Sequence, residues 1–166
     1  DTNVPGHWNS AVPVFSTDGG VTWDNISTTP SNTSTTYTFS HSYTTPAERI
    51  AFHFPYTVDR HNAKMTEWTG HPNVAKETLG FSTQGRPIDY LRVTSATGDV
   101  SALPSFWVIA RQHSAEVTAS YSMEGFMDFA LSNDPDAVAL RQNSVLLGVP
   151  MVTPDVLFLW NYRDNA

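Results

Sequence analysis

The sequence predicts a chain of two parts: an antiparallel β-sandwich, then part of a mixed, largely parallel α/β sheet domain. Three observations carry this. Before residue 57, apolar and polar side chains alternate with a period of two in short segments. After residue 100, two continuous apolar runs stand well apart, Phe106-Trp107-Val108-Ile109-Ala110 and Val145-Leu146-Leu147-Gly148-Val149. Between those runs lies a stretch with helical spacing of its apolar residues.

The first part reads as follows. Val12-Pro13-Val14-Phe15 is a short apolar run, and Ser16-Thr17-Asp18-Gly19-Gly20 after it is a hairpin signal. Val21-Thr22-Trp23 resumes the strand. From Ser27 to Thr45, 13 of 19 residues are Ser or Thr, too little apolar surface for a core of its own. Within it, Tyr37 to Tyr43 alternates aromatic and polar side chains and is expected as an exposed strand. Arg49 to Phe54 alternates likewise and stops at Pro55. These elements define an expected β-sandwich-like domain over 1–57, incomplete at its start.

Residues 58–73 are expected as a weak, solvated linker helix, because Asp59, Arg60, Lys64 and Glu67 leave few apolar positions. The second part, 74–166, opens with strand, turn, strand: Lys76–Phe81, a turn at Thr83–Pro87, and Ile88–Val93. Phe106–Ala110 is expected as a strand buried on both faces. Val117, Tyr121, Met123, Phe126, Met127, Ala130 and Leu131 mark the inner side of a helix over 116–131. Asp134-Pro135 supplies an N-cap and a first-turn proline for a second, short helix. Strand, two helices, strand is a crossover between parallel strands.

Composition removes several functions. The chain contains no cysteine, so it offers no disulfide, no iron–sulfur cluster, no thiolate zinc site and no cysteine nucleophile. The net charge of −7 argues against nucleic acid and anionic membranes as partners. No apolar run approaches the roughly 20 residues of a membrane span. Candidate chemistry concentrates at Arg111-Gln112-His113-Ser114-Ala115-Glu116, between the apolar run and the helix. Ligands of open α/β sheets bind at the carboxyl ends of strands. His113 and Glu116 are three apart at a helix start, so their side chains can converge. Imidazole nitrogen with carboxylate oxygen suits zinc; the competing reading makes Glu116 a helix N-terminal charge.

Four segments together resemble the zinc metallocarboxypeptidases, and most of all their cytosolic branch. They are Gly80–Ile88, Val108–Glu116, Met123–Leu131, and Val149–Asp155 followed by Asn161-Tyr162-Arg163. The β-rich part before Pro55 is similar to the sandwich that precedes the catalytic domain in that branch. The resemblance implies that His113 and Glu116 are two ligands of Zn2+. It implies that Arg163 polarises the scissile carbonyl, with a peptide or protein C-terminus as substrate and a cytoplasmic location. The Ser/Thr-rich composition is also compatible with secretion. In the family the third zinc ligand is a downstream histidine, and the general-base glutamate lies later too. No histidine follows His113 here, so the chain is expected to be the N-terminal part of the enzyme, with the remaining part as another segment, or else a pseudoenzyme fragment. His61 or His71, both in the linker segment, could in principle substitute. Two other readings stay open. One is a non-catalytic β-sandwich binding module presenting Tyr37, Phe39, Tyr43 and Trp68. The other is an Asp-box glycosidase fragment, suggested by the single Ser16-x-Asp18-x-Gly20-x-x-Trp23 turn.

Overall fold

The computed structural model describes residues 11–33, 36–113 and 115–155. The chain divides into two compact units, 1–55 and 56–166.

The first unit is built from short antiparallel pairings. Strand β1 (Val14–Ser16) lies between β2 (Asp24–Asn25) and β5 (Arg49–Ala51). A separate ribbon joins β3 (Ser31–Asn32) to β4 (Tyr37–Thr38). The strand expected at Val21–Trp23 is absent, and the cause is Asp18. Its carboxylate accepts the N–H groups of Val21 and Thr22 and the hydroxyls of Ser16 and Thr22. Those backbone donors are therefore withdrawn from sheet pairing, and Gly19 and Gly20 turn at φ +78° and +97°. The indole of Trp23 closes the turn on the Gly20 carbonyl. Sheet pairing begins only at Asp24. The Tyr37–Tyr43 strand is likewise shortened to β4.

The second unit is a four-stranded mixed sheet in the order β6-β7-β9-β8. Strands β6 (Val74–Phe81) and β7 (Pro87–Val93) form a hairpin with a bulge between Thr78 and Gly80. Gly85, at φ +75°, makes its turn. Strand β9 (Val145–Val149) pairs antiparallel with β7 and parallel with β8 (Ser105–Ile109). The β8–β9 connection carries α2 (Val117–Leu131) and α3 (Pro135–Asn143), the crossover expected from the sequence. Asp134 caps α3 by accepting the Asp136 N–H at 2.9 Å.

One sheet face packs against the helices. Leu91, Val93 and Leu146 meet Met123, Met127 and Ala130 of α2, with Ala110 and Trp68 completing the buried cluster. Gly148 faces α2, where a Cβ would meet the Met127 sulfur at 3.5 Å, an ordinary van der Waals contact. The expectation that β8 is buried on both faces is corrected. Among the described residues β8 is an edge strand, and Trp107 and Ile109 are each 48% exposed on the face away from the helices.

Helix α1 (Val58–Thr69) is more than a solvated linker. Thr57 caps it by accepting the Arg60 N–H. Arg60, Lys64 and Trp68 then form one row at four-residue spacing. Arg60 grips Glu124 with two parallel bonds of 2.8 and 2.7 Å. Lys64 Nζ reaches both oxygens of Asp128 at 3.2 Å, and the Trp68 indole donates to the same carboxylate. The Arg60 guanidinium also lies 4.8 Å over the Tyr121 ring. The polar residues of α1 thus match Glu124 and Asp128 on α2, while Trp68 enters the core with 1% exposure. Replacing this side chain leaves a large cavity and removes one hydrogen bond to Asp128. Trp68→Ala should lower unfolding free energy by about 4 kcal/mol, read by denaturant melts of the full-length protein.

Candidate metal and substrate site

The carboxyl ends of β8 and β9, the end of β6 and the start of β7 share one end of the sheet. Three turns are held together there by side-chain hydrogen bonds. Strand β8 is closed by Ala110, whose N–H donates to the Val149 carbonyl while its own carbonyl accepts the Val152 N–H. Arg111 then takes φ +54°, an uncommon conformation for a side chain that is not glycine. It is over-determined by its surroundings. The guanidinium is buried and donates to Ser120 Oγ at 3.0 Å, and its carbonyl accepts the Thr153 hydroxyl at 2.9 Å. This kink ends the strand and carries the chain over to α2.

His113 and Glu116 stand in that connection. His113 Nδ1 and Glu116 Oε1 are 2.5 Å apart, and the second carboxylate oxygen accepts the His113 N–H at 3.2 Å. The side chains are 35% and 44% exposed, so the pair is open to a ligand. Glu116 occupies the N-cap position of α2, yet its carboxylate makes no capping bond to the helix. The carboxylate turns instead to His113. The His113 bonds hold the Glu116 carboxyl below its ordinary range.

Asp155 anchors the neighbouring loop. It is fully buried and accepts from Ser82 Oγ at 2.7 Å, Gln84 N at 3.1 Å, Thr83 Oγ1 at 3.3 Å and Arg86 Nη1 at 2.6 Å. The segments 80–88 and 149–155 are thereby joined through one carboxylate. Burial pushes this carboxyl up, but the Arg86, Ser82, Gln84 and Thr83 bonds outweigh it and hold it below the ordinary value.

The donor set fits zinc in part. One imidazole nitrogen and one carboxylate converge in an accessible loop, and the proton between them is what a cation would displace. Among the described residues no group of three His, Cys, Asp or Glu side chains is placed to hold an ion, so neither His61 nor His71 completes the set. Arg163 lies outside the described residues. The roles of Arg111, Ser120 and Thr153 were missed in the sequence. The one signal available was a charged residue directly after an apolar run.

A family model described as zinc carboxypeptidase matches residues 62–159. Cytosolic carboxypeptidase 6 of Mus musculus is 32% identical over 119 residues, covering 69% of this chain and 22% of its own length. Cytosolic carboxypeptidase 2 of Xenopus tropicalis is 31% identical over 137 residues, covering 78% of this chain and 14% of its own. Among solved structures, a metallo-carboxypeptidase from Burkholderia cenocepacia superposes with a TM-score of 0.84 at 27% identity, over 94% of this chain and 41% of that one. A metallo-carboxypeptidase from Pseudomonas aeruginosa, in complex with (2-guanidinoethylmercapto)succinic acid, gives 0.81 at 29% identity, over 94% and 40%. The fold is that of a carboxypeptidase-type α/β unit, and the chain belongs to the zinc carboxypeptidase family. It spans 22% and 14% of the lengths of the two cytosolic carboxypeptidases it matches.

A carboxyl depressed on folding contributes stability that is present above its unfolded value and is lost as pH falls through the folded one. Thermal stability of the full-length protein should therefore decline below about pH 4. In Asp155→Asn that acid-side decline should be smaller and the stability at neutral pH lower, read as melting temperature against pH.

Proposed function

We propose that this chain is the N-terminal part of a zinc-dependent metallocarboxypeptidase that hydrolyses C-terminal peptide bonds. In this reading residues 1–57 form the sandwich-like domain, 58–73 the connecting helix, and 74–166 the first half of the catalytic domain. His113 and Glu116 would hold the metal, with the third ligand and the general base supplied by a segment beyond this sequence. The observation that carries the proposal is the convergence of His113 and Glu116 at the carboxyl end of a parallel strand pair, inside the segment matched by the family model. The names of the relatives favour a peptide or protein C-terminus as substrate and the cytoplasm as location.

The chain's own residues have separable tasks. Glu116 stays ionised at neutral pH and supplies an anionic oxygen. His113 is a nitrogen donor, fixed by Glu116 at its ring and at its backbone N–H. The Arg111 kink orients both, and a guanidinium at Arg163 would stabilise negative charge as it grows on the carbonyl oxygen. Bound zinc would supply Lewis acidity and a water nucleophile at neutral pH.

His113→Ala in the full-length protein should remove most of the zinc found by elemental analysis, together with peptidase activity. Normal zinc content in that variant would sink the ligand assignment. Arg163→Ala should keep its zinc and lose turnover by about 100-fold, with a smaller change in KM. Unchanged kcat/KM on a C-terminal peptide substrate would remove Arg163 from the mechanism.

A further inference from the structure

We propose that the first unit carries a second ligand site, a pocket for a neutral saccharide ring, built around His41. This site is independent of the carboxypeptidase reading. It is a cavity of about 420 Å3 lined by residues of β1, of β2 and the chain after it, and of the 40–44 loop.

His41 is the centre of the argument. Its side chain is 10% exposed, and its Nε2 lies 2.6 Å from Glu48, whose side chain is fully buried. Glu48 also accepts from Thr44 N at 2.6 Å, Thr44 Oγ1 at 2.9 Å and Thr45 N at 3.0 Å. The His41 bond and the Thr44 N–H bring this carboxyl down to about 2, so it is an acceptor at neutral pH. In the neutral imidazole the hydrogen therefore sits on Nε2, and Nδ1 becomes an acceptor. Among the described residues Nδ1 has no protein partner, while His41 lines the cavity. Phe15, at a centroid distance of 4.4 Å, and Tyr43, at 5.4 Å, hold the ring between them. A buried acid that orients a buried histidine, leaving one ring nitrogen to a cavity, is the arrangement of a built binding site rather than of a surface pair.

The lining selects the ligand class. Phe15 offers an apolar surface for the face of a ring. Asp24 and Asn25 are adjacent and exposed, a fork of acceptors and donors suited to neighbouring hydroxyls. Thr28, Ser40 and Ser42 add hydroxyl groups. Among the described residues no Lys or Arg lines the cavity, which argues against an anion. The walls are tied before any ligand arrives: Thr28 Oγ1 donates to the Ser40 carbonyl at 2.5 Å and accepts the Ser40 N–H at 3.4 Å. A pre-tied cavity avoids ordering cost on binding.

The test is ligand-observed NMR of the full-length protein with methyl α-glucoside, methyl β-galactoside and N-acetylglucosamine, and with inorganic phosphate as the anionic control. We expect at least one neutral sugar to bind, phosphate not to bind, and Asp24→Asn and Asn25→Ala each to weaken the sugar by about tenfold. Both substituted side chains are exposed, so folding should survive, and unchanged far-UV circular dichroism will check it. Absence of binding by all three sugars would overturn the proposal. So would sugar binding undiminished in both folded variants, or phosphate competing for the site. A glycopeptide bearing the bound sugar forms a further arm: tighter binding than the free glycoside assigns a protein-borne glycan, and equal binding assigns the free sugar. Either outcome supports the pocket.

Discussion

The kink at Arg111 is the constraint on which the rest of the site depends. A parallel strand must hand its chain to a helix on one face of the sheet, and here the hand-over occurs within a few residues. A left-handed residue makes the turn short, and an ordinary side chain would resist it. The structure holds it from both sides, through Ser120 on the guanidinium and Thr153 on the carbonyl. His113 and Glu116 follow this kink, and their own turn, with the Glu116 N–H on the His113 carbonyl, brings the two side chains together. The same Thr153 precedes Asp155 by two residues, so the loop that fixes the kink also reaches the β6–β7 turn. Two sets of hydrogen bonds, Ser120–Arg111–Thr153 and Asp155 with residues 82–86, are linked by the short chain segment from Thr153 to Asp155, and all of the described segments that carry the family resemblance except Met123–Leu131 are joined in this way.

Much of the fold was legible because its signals were local. The helical spacing from Val117 to Leu131 matches α2 almost residue for residue, the Asp134-Pro135 cap marks the start of α3, and the apolar run at 145–149 is β9. Three features were not legible, each for a physical reason. The turn at Asp18 has the composition of a hairpin, but its carboxylate competes successfully for backbone donors that a strand would need. Helix α1 reads as solvated because its cations are visible in the sequence, whereas their acids, Glu124 and Asp128, are 60 or more residues away. Strand β8 reads as buried on both faces because hydropathy records what a side chain prefers. Its place at the sheet edge depends on pairing with strands elsewhere in the chain.

The candidate site was legible in its donors and not in its supports. His113 and Glu116 stand out by residue type and three-residue spacing. The buried groups that place them, Arg111, Ser120 and Thr153, are of types that usually lie at the surface. Asp155 belonged to a segment already singled out, but its task of binding the 82–86 turn appears only once both loops are folded. The first unit shows the same asymmetry: nothing in a Ser/Thr-rich stretch marks His41 and Glu48 as a buried pair.

The central claim is that the Arg111 turn places one imidazole and one carboxylate to share a zinc ion. Zinc-edge X-ray absorption of the full-length protein tests it most directly. The account predicts a first shell of nitrogen and oxygen only, with an imidazole scattering contribution that is lost or diminished in His113→Ala. A bound zinc whose shell is unchanged by His113→Ala and by Glu116→Gln would contradict it.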